Sequence, residues 1–204
     1  LTAGAIYMSS YNADKCTTFI MNGGEISGNT ANSVGAVINV IGSKPARIEL
    51  NGGVIENNLV KSTNPNATVM SVSDNTTMLV GGVVIRCNHG SADQSINAIT
   101  TSGSLVTVKP TADTVLENAI FLQNNSVAAK DISILVPEGL SKLSGKLPVA
   151  VAKEFVNAKI LRGGTGDDAY TLQQSDVDKV QIVNDIEGAY YLGIDKDANM
   201  AQFM

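Results

Sequence analysis

The sequence predicts an all-β chain, a right-handed parallel β-helix that ends in a less regular β-rich cap. Three observations carry this. A Gly-Gly pair recurs at Gly23-Gly24, Gly52-Gly53 and Gly81-Gly82, so the interval between copies is constant. A second series, Ala5, Ala36, Ala67 and Ala98, runs through the same stretch at a constant, slightly longer interval. Between the glycines the apolar residues alternate singly instead of following the helical period. Self-similarity at a spacing of this size marks a solenoid, and strict alternation marks strands.

In the first repeat, Phe19 and Met21 flank Ile20, and at the same offset Ile48 and Leu50 flank Glu49, whose charge assigns that position to solvent. Ile26, Ile55 and Val84 share the next inward offset at the Gly-Gly interval, so they are expected to stack as an aliphatic ladder. Asn22 and Asn51 coincide at one corner; Asn29, Asn58 and, with one inserted residue, Asn88 coincide at another. Asparagine tolerates left-handed backbone angles, and its amide can bond the turns above and below. The strands repeat in one direction and are joined by Gly/Asn corners without helices. A parallel β-helix follows, right-handed by the rule for crossover connections.

The alanine strands are Ala3-Gly-Ala-Ile-Tyr-Met8, Val34-Gly-Ala-Val-Ile-Asn39, Pro65-Asn-Ala-Thr-Val-Met70 and Ile96-Asn-Ala-Ile-Thr-Thr101. Facing is undecided in residues 67–72, where both alternations are apolar. The spacing between the two series drifts while the total coil length stays near constant, which moves length variation into corner loops around residues 9–18, 42–47, 60–66 and 89–95. These loops are the expected place for any binding surface.

Beyond about residue 103 the period breaks. Leu105-Val-Thr-Val108, Ala119-Ile-Phe-Leu122 and Ile132-Ser-Ile-Leu-Val136 still read as strands, and Asn118-Ala-Ile-Phe121 repeats the alanine strand after a shorter coil. Residues 1–136 are therefore read as solenoid coils and 137–204 as irregular final coils with a capping hairpin. The second part carries Pro148, a helical turn within residues 172–177, and strands on either side of Asp195-Lys-Asp-Ala-Asn199.

Composition excludes more than it assigns. Charged residues make up 16% of the chain and its net charge is −5, so nothing forms the basic stripe that tracks phosphates, and nucleic acid is not expected as a partner. No apolar run is long enough for a membrane-spanning helix. Cys16 and Cys87 fall in different coils, so no disulfide is expected between them, and they read as buried or half-buried thiols.

The motifs Phe19-Ile-Met-Asn22, Gly4-Ala-Ile6 and Gly35-Ala-Val37 resemble the F-x-x-N and G-G-A-I repeats of bacterial surface β-helix proteins. Among these are the polymorphic outer-membrane proteins and the adhesin-like repeat proteins of gut anaerobes, whose repeats residues 21–31 are similar to. Ala3 and Val34 stand where that pattern has its first glycine, and F-x-x-N is intact once. The resemblance implies an extracellular module of a longer chain on a bacterial surface, an adhesin or stalk whose partner is a host or bacterial surface glycan or protein.

Each constellation with chemical potential has a plainer explanation. Cys87, His89 and Asp93 lie close in sequence, but nucleophile and base normally meet through the fold, and a turn explains the same residues. Asp195, Asp197 and Asn199 alternate like a calcium loop but lack its glycine and closing glutamate, so a hairpin turn is the expectation. Asp167 and Asp168 follow Gly163-Gly-Thr-Gly166, which lacks the Lys-Ser/Thr of a phosphate loop. Parallel β-helices include polysaccharide-cleaving enzymes, which need clustered acids. Here Glu25, Glu49, Glu56, Lys44, Arg47 and Arg86 are scattered, and the chain has no Trp to stack on sugars. The expectation is a non-enzymatic module with no catalytic, metal-binding or cofactor residue; a glycan-binding or glycan-cleaving β-helix is the alternative.

Overall fold

A computed structural model describes residues 4–12, 14–33, 35–62, 64, 67–72, 75–91, 96–101, 105–123, 133–151, 159–164, 166, 169–183 and 191–203. The chain forms a parallel β-solenoid of about five turns. The first coil contains β1 (Ile6–Ser9), β2 (Thr17–Ser27) and β3 (Thr30–Ala31). The second repeats this as β4 (Ile38–Ile41), β5 (Ala46–Glu56) and β6 (Leu59–Val60), and the third as β7 (Thr68–Val72), β8 (Thr76–Arg86) and β9 (His89–Gly90). The fourth comprises β10 (Asn97–Thr101), β11 (Leu105–Val108) and β12 (Val115–Leu116), the last two stacking on the two arms of β8.

Then follow β13 (Ile120–Leu122), β14 (Ile134–Leu135), β15 (Leu147–Val151), β16 (Lys159–Arg162), the single helical turn α1 (Gln174–Val177), β17 (Val180–Ile182), β18 (Leu192–Asp195) and β19 (Met200–Phe203). One sheet runs β1-β4-β7-β10-β13-β15-β17. A second, with the longest strands, runs β2-β5-β8-β11-β14-β16-β19-β18, and β3-β6-β9 form a small corner sheet. Pairing is parallel until β19, which runs antiparallel to β16 and to β18. The expected hairpin thus closes the edge of the long-strand sheet, where open backbone groups would otherwise invite pairing with another chain.

The alternation in the first two repeats is observed: Ile20 and Glu49 point outward, while Ile48 and Leu50 are fully buried. The third repeat corrects the predicted register. Gly52 pairs with Gly82, not Gly81, and Ile55 with Ile85, not Val84. The interval from β5 to β8 is one residue longer than the Gly-Gly spacing, because Ala46 already pairs with Thr76 and the extra residue lies before β8. The predicted register would set Thr77 and Leu79 over Ile48 and Leu50 and turn Met78 and Val80 outward; a slip of one residue reverses every side chain. The inner ladder is therefore Ile26-Ile55-Ile85-Leu116, beside Phe19-Ile48-Met78-Val106 and Met21-Leu50-Val80-Val108. Each interior rung contributes about 1.5–3 kcal/mol of apolar burial.

The alanine spacing is not the stacking register either. Ile38 pairs with Met70, a longer step than the alanines take, and Thr68 pairs with Asn97, a shorter one, so Ala98 is level with Val69. Corner loops of unequal length absorb the difference. The undecided facing of residues 67–72 has a physical cause: Val69 and Met70 are both buried, on opposite faces. The shorter coil before β13 is observed, with Ile99 paired to Ile120. Ala119, Phe121 and Ala150 form a small buried cluster separate from the main core. Pro148 sits within β15, level with Ala119 just before β13 begins, so its missing N–H interrupts no ladder there.

A polar ladder runs along the corner. The backbone N–H and Nδ2 of Asn29 both donate to Asn58 Oδ1, each at 3.1 Å. Those of Asn58 donate to Asn88 Oδ1 at 3.1 and 2.9 Å, and those of Asn88 to Asn118 Oδ1 at 3.3 and 3.0 Å. In addition, Asn58 Nδ2 donates back to Ile26 O and Asn88 Nδ2 to Ile55 O, both at 3.0 Å. The left-handed residue of each corner is the one before the asparagine: Gly28 (φ 66°), Asn57 (φ 56°) and Cys87 (φ 51°).

Candidate functional site

The outward face of the long-strand sheet is built by the alternation that fills the core. One row reads Ile20, Glu49, Leu79, Thr107, Leu135 and Arg162 along the stacked coils. A neighbouring row begins Thr18, Arg47, Thr77 and Leu105. On the other arm lie Ser27, Glu56 and Arg86. Two charge pairs lie on this face. Arg47 bridges Glu49, and Arg86 Nε meets Glu56 Oε2 at 2.6 Å. The hydrogen bond to Glu56 raises the Arg86 pKa further above its ordinary value.

Two shallow depressions mark this face. The smaller, about 140 Å³, lies between Arg47, Glu49, Thr77, Leu79 and Thr107. The larger, about 340 Å³, is bounded by Asn51, Gly81-Gly82, Lys109, Thr111, Glu138 and Lys142. Gly82 admits the close approach of Asn51 O, which a Cβ would strike. On the opposite wall Glu138 accepts from Lys109 Nζ at 2.6 Å and from Lys142 Nζ at 3.5 Å. The hydrogen bond from Lys109 is the main reason that the Glu138 carboxyl titrates below its ordinary range. A general acid needs the opposite shift, and Glu138 is the only acid in this lining among the described residues. Two ammonium groups, an Asn amide and a Thr hydroxyl suit a hydroxyl-rich or carboxylate-bearing ligand held by hydrogen bonds.

The constellations singled out by sequence resolve separately. Cys87 occupies the left-handed corner, and its Sγ lies 3.9 Å from Glu117 Oε2. His89 is in β9, its Nδ1 3.2 Å from Gly90 O. Asp93 lies outside the described residues. Both cysteines are exposed and unpaired with each other, not buried or half-buried as expected, because each sits on a corner outside the inward ladder. Asp195 Oδ1 accepts from the backbone of Asp197 and Ala198, each at 3.1 Å, which is a hairpin turn. Asn199 faces the other way: its Oδ1 accepts from Leu172 N at 2.9 Å and its Nδ2 donates to Tyr170 O at 2.8 Å. Asp167 and Asp168 lie outside the described residues. Glu25 is exposed on β2, and Lys44 precedes β5, with its backbone N–H bonded to Ser10 O. Among the described residues no three His, Cys, Asp or Glu side chains converge as a metal site, and no helix is long and apolar enough to cross a membrane.

Sequence reasoning missed two features. The first is the Lys109-Glu138-Lys142 wall, of which only the i,i+4 pair Glu138/Lys142 was legible. The second is Asp176, fully buried at the start of α1. Its Oδ1 accepts from Leu140 N at 2.7 Å, and its Oδ2 from Tyr170 OH at 2.7 Å and Gln173 N at 2.9 Å. Burial, then the bond to Asp176, pushes the Tyr170 hydroxyl up to about 12. Gln173 and Asp176 form a capping box, the spacing that would have flagged them. The carboxylate ties the backbone at Leu140 to the Tyr170–Gln173 segment and is closed to solvent, a structural role.

Set beside known proteins, the chain matches no family model, no curated protein and no solved structure.

Proposed function

We propose that this chain is a non-catalytic module of a bacterial cell-surface or secreted protein, serving as an adhesive surface or structural stalk. The observation that carries this reading is how the outward charges are used. Glu56 and Glu138 each pair with a basic residue of another coil and Glu49 with Arg47 on its own strand, so these outward acids are engaged by cations instead of standing free as a glycan-cleaving site would need. The repeat resemblance of residues 4–37 supports the extracellular, bacterial setting, and a solenoid offers an extended face without requiring a catalytic cleft. Within this reading the depression between Gly81-Gly82 and Lys109-Glu138-Lys142 is the contact patch, and surface glycan is the partner class that its donors fit.

A second reading, a glycan-binding or polysaccharide-cleaving β-helix, rests on the same depression. A panel of glycans and extracellular-matrix proteins tests both, with the intact chain beside Lys109→Ala and Lys142→Ala. Retention on a glycan or matrix protein that falls at least severalfold in both variants supports the adhesive patch. Retention indifferent to both lysines would remove the patch, and shortening of a polysaccharide would favour the second reading.

A further inference from the structure

The two depressions on the long-strand sheet are continuous. Leu79 bounds both, and β8 supplies the floor of each. Thr77 and Leu79 point outward from β8, Leu79 half-buried between Glu49 of β5 and Thr107 of β11, and the Gly81-Gly82 pair follows on the same strand. At about 3.3 Å per residue the floor from Thr77 to the glycines is about 13–17 Å long, room for about three pyranose rings end to end. The trough therefore runs with the strand, across the solenoid axis.

Its two ends are basic. Arg47 stands at one end with its side chain 59% exposed, and Lys109 and Lys142 stand at the other, 51% and 63% exposed. These three cations face two acids, Glu49 and Glu138, so the lining carries a surplus positive charge in a chain whose net charge is −5. Both acids already accept from a cation, Glu49 from Arg47 and Glu138 from Lys109. Between the ends lie the hydroxyls of Thr77, Thr107 and Thr111 and the amide of Asn51. Among the described residues the lining holds no aromatic ring, so recognition falls to charge and hydrogen bonds instead of stacking.

We infer that the trough seats a linear acidic glycan, a uronic-acid oligomer lying along β8 with one carboxylate at Arg47 and another at the Lys109 and Lys142 end. This inference rests on the reading of the larger depression as the contact patch, and it adds the occupant, its direction and its length. A neutral sugar chain brings no anion to the surplus cation and finds no ring to stack on. An extended acidic peptide gains most by pairing its backbone with an open strand edge. β8 is closed on both sides by β5 and β11 and offers none. A carboxylate at each end makes charge-assisted hydrogen bonds, and a ligand shorter than the trough reaches only one end.

Calorimetric titration of the intact chain with oligogalacturonates and oligomannuronates of increasing length is the test. For at least one series, affinity should rise about tenfold from two units to four and then level off, as the second end is engaged. Methyl esterification, which keeps the backbone and removes the charge, should weaken the four-unit ligand about fivefold or more. Arg47→Ala should weaken the four-unit ligand and spare the two-unit one, Lys142→Ala should weaken both, and Arg47→Lys should retain most of the affinity. Equal affinity for two and four units, undiminished binding of the esters, indifference of the four-unit ligand to Arg47→Ala, or equal binding of a polyglutamate peptide would overturn the inference. Retention of neutral glycans that still depends on Lys109 and Lys142 would overturn only the acidic occupant and leave the adhesive patch standing. No retention of any glycan or matrix protein would remove both.

Discussion

Replacing Asn88 by alanine removes an interior rung of the corner ladder, and its cost can be worked from the groups it strands. Asn88 Oδ1 accepts from the backbone N–H and Nδ2 of Asn58, and Asn88 Nδ2 bonds Ile55 O, Arg86 O and Asn118 Oδ1 at 2.9–3.0 Å. Asn58 and Asn88 are both buried, so alanine takes the side-chain partner from the Asn58 N–H and from the Ile55 and Arg86 carbonyls, while Asn58 Nδ2 keeps Ile26 O and Glu56 O and Asn118 Oδ1 keeps the residue-88 N–H. Each such group costs about 1–3 kcal/mol, and partial rescue by entering water brings the sum to about 3–6 kcal/mol. Asn29→Ala is the matched control. Asn29 is half-exposed at the open end, and its side chain donates only to Ser27 O and Asn58 Oδ1, so about 1 kcal/mol is expected. Urea unfolding of both variants, with equal slopes as the check on comparable transitions, gives the difference. Amide exchange should also show the Asn58 N–H losing protection in Asn88→Ala. Equal losses in the two variants would refute the claim that the ladder joins the coils.

Ile55→Asp places a carboxylate in the inner ladder between Ile26 and Ile85 and should cost several kcal/mol, whereas Glu49→Ser, at an outward position paired only with Arg47, should cost no more than about 1 kcal/mol. Equal unfolding midpoints for these two would contradict the strand facing. Cys87 holds a left-handed angle (φ 51°) that costs an ordinary side chain about 1–2 kcal/mol; Cys87→Gly should therefore raise stability, by about 0.5–1 kcal/mol after the added freedom of glycine in the unfolded chain, and a lowered midpoint would refute this. The Tyr170 hydroxyl, pushed up from about 10 to about 12, binds its proton more tightly folded than unfolded. Its contribution is complete below about pH 10 and fades as pH rises toward about 12. Tyr170→Phe should lower stability at neutral pH and flatten the alkaline decline relative to the parent; parallel pH profiles would count against the Asp176 network.

The parts of this fold that are legible in the sequence are those written as local period. Phe19, Met21, Ile48 and Leu50 alternate with Ile20 and Glu49, and the asparagines at 29, 58 and 88 mark a shared corner by spacing alone. The register of the third coil is not legible, because the Gly81-Gly82 pair keeps the spacing of the earlier pairs while one extra residue before β8 shifts the strand. Only the demand that Met78, Val80 and Ile85 face inward decides between the two registers. Asn118, 30 residues after Asn88, extends the ladder and is readable by the same interval. β15 is obscured by Pro148, whose missing N–H matters only if a partner strand stands beside it. Asp176 is hidden for a different reason: its burial depends on Leu140, 36 residues away, and on Tyr170, and no short window contains both. The large depression likewise joins Asn51 to Lys109 and Glu138, residues that only coil stacking brings together.

The central functional claim is that the outward acids are engaged by basic neighbours and perform no chemistry. Its most direct test is turnover: incubate the intact chain with the neutral and uronic-acid polysaccharides of the binding panel, and follow both new reducing ends and the absorbance of unsaturated uronate products. The account predicts traces indistinguishable from protein-free controls on every polysaccharide, including any that the chain retains. A steady release of product that scales with protein and disappears in Glu138→Gln would contradict it.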